Sequence, residues 1–362
     1  MCNAVCRDND HTHLLSLLRL IKASSDLDKC CYDGFTPLFL ASSRGMLWAV
    51  SQLIEAGADA DKAADFECES ITPLFIACDY NLLAVVTRLI EAGADVNKAK
   101  TDTGWTPLGV ASEHGNLTVV SQLIVAGADV DKAATISHTA VRVDTTLNNG
   151  TTPLFIAAQN DHLAVVSLLI EAGADVDKAT TDDGYRKSEI GCTPLIVAIQ
   201  HDRLKIVSRL IEAGADVEKA KGDGSTPLWA ASHKGSLAIV SRLIEAGADV
   251  DEALVDQDMA CVTPMMCALM WGHLLVVSRL IEAGADVNKA FGEMTPLCFA
   301  LCRREQGIAK LLIRKGAKMF IDGDGGGVRP GSKTAKTVMP RRGSAEAVRL
   351  QMHLELFVDT GS

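Results

Sequence analysis

Apolar residues fall along this chain in two alternating stretches that recur together. The first opens on Thr-Pro, at Thr36, Thr72, Thr106, Thr152, Thr193, Thr226, Thr263 and Thr295. Threonine can cap free amides and proline suits the first helical position, so a helix is expected to start at each site. Nine residues after each Thr stand Gly45, Asn81, Gly115, Asp161, Asp202, Gly235, Gly272 and Arg304. All but the last tolerate a left-handed backbone, which predicts the end of that helix after two turns. The second stretch has helical spacing, as in Leu82, Leu83, Val85, Val86, Leu89 and Ile90. A glycine 21 residues after each Thr, from Gly57 and Gly93 to Gly316, stops it. Between the two, five residues past each Thr, always stands alanine: Ala41, Ala77, Ala111, Ala157, Ala198, Ala231, Ala268 and Ala300. A methyl at every copy predicts helices packed too closely for anything larger.

So short a helix pair cannot bury its apolar face alone, and neighbouring copies must stack, which makes the fold class an all-α repeat solenoid. The run Gly104-Trp-Thr-Pro-Leu-Gly-Val-Ala111, with Gly115 to Val120 and Leu123 to Val130, resembles the ankyrin repeat nearly position for position. The resemblance implies antiparallel helix pairs linked by projecting β-hairpin loops. It also implies a concave, groove-facing end for each first helix and a protein partner held there. Where the family usually has His after Thr-Pro-Leu, this chain has Phe39, Phe75, Gly109, Phe155, Ile196, Trp229, Met266 and Cys298. The family's Thr-to-His hydrogen bond is therefore missing, and apolar packing is the expected replacement.

The intervals from each glycine to the next Thr are 15, 13, 25, 20, 12, 16 and 11 residues, so length varies in the hairpins alone. The expected organisation is a degenerate N-terminal capping repeat at 1–35 and eight repeats over 36–316, with hairpin insertions at 131–150 and 177–191. A Gly-rich connection at 317–333 and a degenerate C-terminal cap at 334–362 complete it. Leu14 to Asp28 can be laid over Leu83 to Asn97, and Val141-Arg-Val-Asp144 alternates as a hairpin arm would.

A net charge of −11 argues against a nucleic-acid binder, since phosphate neutralisation requires a basic face. The one basic cluster, Arg329, Lys333, Lys336, Arg341, Arg342 and Arg349, reads as a solvated cap surface. Eleven cysteines lack the spacing of a disulfide framework, and several fall at apolar helix positions, so reduced thiols and an intracellular, cytoplasmic chain are expected. Leu14 to Ile21 is too short and too interrupted for a signal peptide or membrane span. The segment Gly326 to Thr334 fails as a phosphate loop because Ser332 separates Gly331 from Lys333 and no apolar strand precedes it. Neither Cys2, Cys6, His11 and His13 nor Cys298 with Cys302 makes a convincing zinc set. Arg341-Arg-Gly-Ser344 resembles a kinase site of a kind frequent by chance. Pairs such as Arg88 with Glu91 and Arg242 with Glu245 are expected as solvated charges one turn apart on second helices.

No nucleophile, base and orienting group stand outside the repeat pattern, so no catalytic, cofactor or metal site is expected. The expected function is that of a non-catalytic, monomeric scaffold or adaptor binding a protein partner. A substrate-recognition subunit of a ubiquitin-ligase or signalling complex is the alternative, and an enzyme with an unrecognised Cys/His site is the reading from another class. Positions that differ between copies on a fixed frame suggest recognition. The candidate partner-binding residues are Tyr80, Trp105, His114, Asn160, His201, Lys234 and Trp271, at the ends of first helices or, for Trp105, just before a Thr.

Overall fold

Each Thr-Pro site does what its chemistry dictates. The structure, a computed structural model, describes residues 27–29, 34–66, 69–101, 103–135, 149–181, 190–255, 261–292 and 294–319. Every one of the eight threonines is buried in extended backbone, and its Oγ1 accepts the backbone N–H three residues on at 3.0–3.3 Å. The proline that follows opens the helix, having no amide to leave unpaired. Paired helices result: α1 and α2 (Pro37–Ser43, Leu47–Glu55), α3 and α4 (Pro73–Asp79, Leu83–Glu91), α5 and α6 (Pro107–Glu113, Leu117–Val125), and α7 and α8 (Pro153–Gln159, Leu163–Glu171). Then come α9 and α10 (Pro194–Gln200, Leu204–Glu212), α11 and α12 (Pro227–Lys234, Leu237–Glu245), α13 and α14 (Pro264–Trp271, Leu274–Glu282), and α15 and α16 (Pro296–Cys302, Gln306–Arg314).

The chain forms two compact units, the first ending at Asp216 and the second beginning at Val217. In each, first helices pack on first helices and second helices on second, in chain order. The all-α repeat architecture is thus present in both. The eight alanines five residues past each Thr have no exposed surface, and neither do Leu53, Leu89, Leu123, Leu169, Leu210, Leu243, Leu280 and Leu312 of the second helices. Short antiparallel ladders close two connections: β1 (Ala64–Phe66) with β2 (Glu69–Ile71), and β3 (Leu254–Val255) with β4 (Cys261–Val262).

A second ladder runs between repeats. The amide of Asp95 donates to the Asp61 carboxylate at 2.9 Å, that of Asp129 to Asn97 Oδ1 at 2.8 Å, and that of Asp175 to Asp131 at 3.0 Å. Asp216 to Asp177 continues it in the first unit; Asp249 to Glu218 and Asp286 to Asp251 repeat it in the second. Lys98, Lys132, Lys178 and Lys289 reach back with Nζ to the carbonyl of the same preceding residue at 2.7–2.8 Å. Asp28, which the sequence aligns with Asn97, accepts from the Asp59 amide at 3.0 Å as Asn97 does from Asp129.

The insertions leave these rungs in place. Their bases are closed by Ala134 N–H to Thr151 O at 2.8 Å and Thr180 N–H to Cys192 O at 3.0 Å. The Val141 to Asp144 arm, most of the two expected caps and of the Gly-rich connection, the Gly326 to Thr334 segment, the basic cluster, Ser344, Leu14 to Ile21 and the Cys2 to His13 set lie outside the described residues.

Two expectations need correction. Arg304 adopts φ of 61°, so the left-handed turn is kept even where the side chain disfavours it, because the fixed helix packing on both sides imposes it. Two arginines of the second helices, expected in solvent, face an acid of the preceding repeat. Arg88 lies 4.0 Å from Glu55 and Arg209 3.9 Å from Glu171, each on the preceding repeat, since stacking brings those side chains as near as one helical turn does. Both arginines are half-buried in consequence.

Candidate functional site

First helices end where the chain must turn back. Tyr80, His114, Asn160 and His201 are the residues directly after α3, α5, α7 and α9, while Lys234 and Trp271 close α11 and α13. All six are exposed. Tyr80 keeps 58% of its surface and Trp271 60%, large values for rings of this size.

Trp105 is different. It is only 3% exposed and cannot offer contact area to a partner. Its ring fills the space left by Gly109, where an added Cβ would sit 2.8 Å from the indole, and its Nε1 donates to Glu113 Oε2 at 3.3 Å. Large before Thr and small three after it reverses the sizes at Thr151 with Phe155 and Cys192 with Ile196, and the indole takes the space that a larger residue at 109 would occupy. At the same position Phe39, Phe75, Phe155, Ile196, Met266 and Cys298 are buried, so apolar packing occupies the place of the family's histidine.

In the first unit the exposed ends are wired from repeat to repeat. His114 Nε2 lies 2.9 Å from Asp79 Oδ1, Asn160 Nδ2 donates to Glu113 O at 3.0 Å, and a His162 ring nitrogen meets the same carbonyl at 2.9 Å. Tyr80, beside Asp79, thus stands at the edge of a polar row through His114 and Asn160. Sequence reasoning missed His162. Its signal was the glycine before it in space: a Cβ on Gly115 would lie 2.4 Å from the His162 ring, and Gly235 faces His273 in the same way.

The second unit offers rings instead. Trp229 stacks on His233 with centroids 5.3 Å apart, and His233 meets the edge of Trp271 at 4.7 Å. Burial, then the nearby charge of His273, pulls the His233 pKa below the ordinary histidine value, so the ring is held neutral more readily. Arg303 lies 5.5 Å over the Phe299 ring and donates to Met270 O at 2.9 Å.

Three buried thiols are held protonated. Burial raises Cys78 far above the usual thiol range, Cys267 to about 12 and Cys298 to about 11, the last helped by Cys302. A catalytic thiolate needs the opposite shift. Among the described residues no three His, Cys, Asp or Glu side chains are grouped so as to hold a metal ion, and no helix is long and apolar enough to cross a membrane.

No curated protein sequence matches the chain. Among solved structures, the crystal structure of the human ASB11 ankyrin repeat domain is similar at 23% identity and TM-score 0.52, over 70% of this chain and 99% of that one. Identity that low shows the fold alone. The family description "Ankyrin repeats (3 copies)" matches in overlapping stretches, 61–134, 98–182, 135–221, 180–254, 210–291 and 252–322. With these matches over most of its length, a buried Thr-Pro cap at every copy and alanine at every helix crossing, the chain belongs to the ankyrin-repeat family.

Proposed function

We propose that this chain is a non-catalytic scaffold or adaptor that binds a protein partner along the exposed ends of its first helices. Ankyrin repeats are protein-interaction modules, which supports the class. One observation carries the location. The frame of Thr, Pro, Ala and Leu is constant and buried, while the residues ending the first helices change from copy to copy and stay exposed. Selection for packing alone gives no reason for Tyr80, His114, Asn160, His201, Lys234 and Trp271 to differ. Tyrosine and tryptophan supply much contact area for little conformational entropy, so Tyr80 and Trp271 are the expected anchors.

The test is a pull-down with the full chain followed by two folded variants. Tyr80→Ala with His114→Ala removes two exposed ends of the first unit. Glu91→Ala with Lys205→Ala alters exposed residues of second helices. The first pair is expected to weaken the partner about tenfold or more, the scale of one strong contact, and the second to leave it unchanged. The reverse result would place the partner on the second helices.

A further inference from the structure

The two units present different chemistry at the same repeat positions. Seven and eight residues after each Thr, the first unit carries Ser43 and Arg44, Asp79 and Tyr80, Glu113 and His114, Gln159 and Asn160, Gln200 and His201. The second unit carries His233 and Lys234, Met270 and Trp271, Cys302 and Arg303. Those six include no carboxylate, and Arg304 follows them, exposed; Glu305, the nearest acid in sequence, lies on the turn into α16. Lys234, Arg303 and Arg304 thus put three cations at or beside these first-helix ends in a chain of net charge −11. This surface is also built. The Trp229, His233 and Trp271 rings are held against one another, with Trp271 still 60% exposed at the end of the row. The Arg303 guanidinium is fixed by Phe299 and by the Met270 carbonyl rather than left to wander. The Trp229 indole N–H is enclosed yet meets no acceptor among the described residues, and a buried donor left unmatched is costly until an acceptor arrives.

We infer that the second unit binds an acidic peptide segment of a partner protein, its carboxylates toward Arg303 and Lys234 and an apolar side chain on the exposed face of Trp271. The inference rests on the proposed binding face and names the chemistry of what sits on its second-unit part. Charge complementarity selects the occupant. Guanidinium and ammonium groups attract carboxylates, while exposed indole rewards an apolar or aromatic neighbour. A basic segment would meet like charge here, and like-charge juxtaposition excludes partners strongly.

The experiment selects a displayed library of random peptides, roughly twelve residues long as suits an extended contact, against the full chain. Recovered peptides should be rich in Asp and Glu around one Phe, Leu or Trp. Their binding should fall about tenfold in Trp271→Ala and in Arg303→Gln, and weaken steadily from about 50 to about 300 mM salt. Trp271 is exposed enough for its alanine variant to fold, and a thermal melt matching wild type verifies it. Peptides without acidic enrichment, peptides indifferent to both substitutions, or failure to recover any peptide would each overturn the inference. Loss of self-association in Trp271→Ala, seen by sedimentation, would overturn it in favour of a second copy of this chain. If the pulled-down partner is released by Tyr80→Ala with His114→Ala but not by the second-unit variants, the general binding face stands and the acidic-segment reading alone falls.

Discussion

Arg304 holds a backbone conformation that glycine, asparagine or aspartate supplies in the other seven copies, at φ of 61° with its side chain in solvent. A left-handed residue with a Cβ costs about 1–2 kcal/mol, part of which glycine gives back as unfolded-state entropy. Arg304→Gly is therefore expected to stabilise the second unit by about 0.5–1 kcal/mol in a denaturant titration. No gain would mean that the arginine side chain makes a compensating contact. Trp105 gives a sharper case. Trp105→Ala should cost about 3–5 kcal/mol, as the loss of a buried aromatic does. Trp105→Thr with Gly109→Phe, the pairing found at Thr151 and Phe155, should recover much of that loss, since the indole takes the space that a larger residue at 109 would occupy. Strict additivity of the single changes would refute the shared space. His233 adds a pH dependence. Its folded pKa is lowered by burial and by His273, so the unfolded chain binds the proton more readily and stability rises with pH. The contribution is intact above the unfolded histidine value of about 6.5 and is lost as pH falls below it. Melting of the second unit should thus drop on acidification, and drop less in His233→Gln; an equal drop in both would assign the effect elsewhere.

Helix starts and stops were legible because each depends on one or two residues with strong local chemistry: Thr and Pro at the start, a left-handed glycine at the end. Trp105 reads from the sequence as a partner-binding residue because it stands at a variable position just before a Thr, yet it is buried. The information lay in Gly109, four residues on, and only alignment of the copies reveals the exchange of large for small. The ladder of backbone amides bonded to Asp, Asn and Glu side chains escaped for another reason. Its partners lie 30 to 44 residues apart, a distance no local pattern reports. The ladder makes its own prediction. Asp177→Ala strips the Asp216 amide of its acceptor and should cost about 0.5–1.5 kcal/mol, the net value of one hydrogen bond. Asp177→Asn should be nearly silent, because Asn97 and Asn288 already hold the same rung with neutral side chains. If the asparagine variant loses as much as the alanine one, charge rather than the acceptor holds the repeats in register.

At the scale of the whole molecule, stability in a stacked-repeat protein is close to a sum of repeat and neighbour terms, and damage should stay local. The two compact units sharpen that expectation for this chain. Leu123 has no exposed surface and lies in the last turn of α6, which packs among the second helices of the first unit. Leu123→Ala should cost about 2–5 kcal/mol, the range for a buried leucine left as a cavity. The loss should appear in hydrogen exchange as faster opening of α5 to α8, fading toward α1 and α10. Protection in α11 to α16 should hold, because those helices belong to the second unit. Leu280→Ala, equally buried in α14, supplies the converse: the second unit should open and α1 to α8 stay protected. Local opening would let either part of the proposed binding face be disabled without the other, which is what separate tests of Tyr80 and Trp271 require. Uniform loss of protection from α1 to α16 in either variant would show instead a single cooperative unit, in which a distant core change and a lost contact could not be told apart by binding alone.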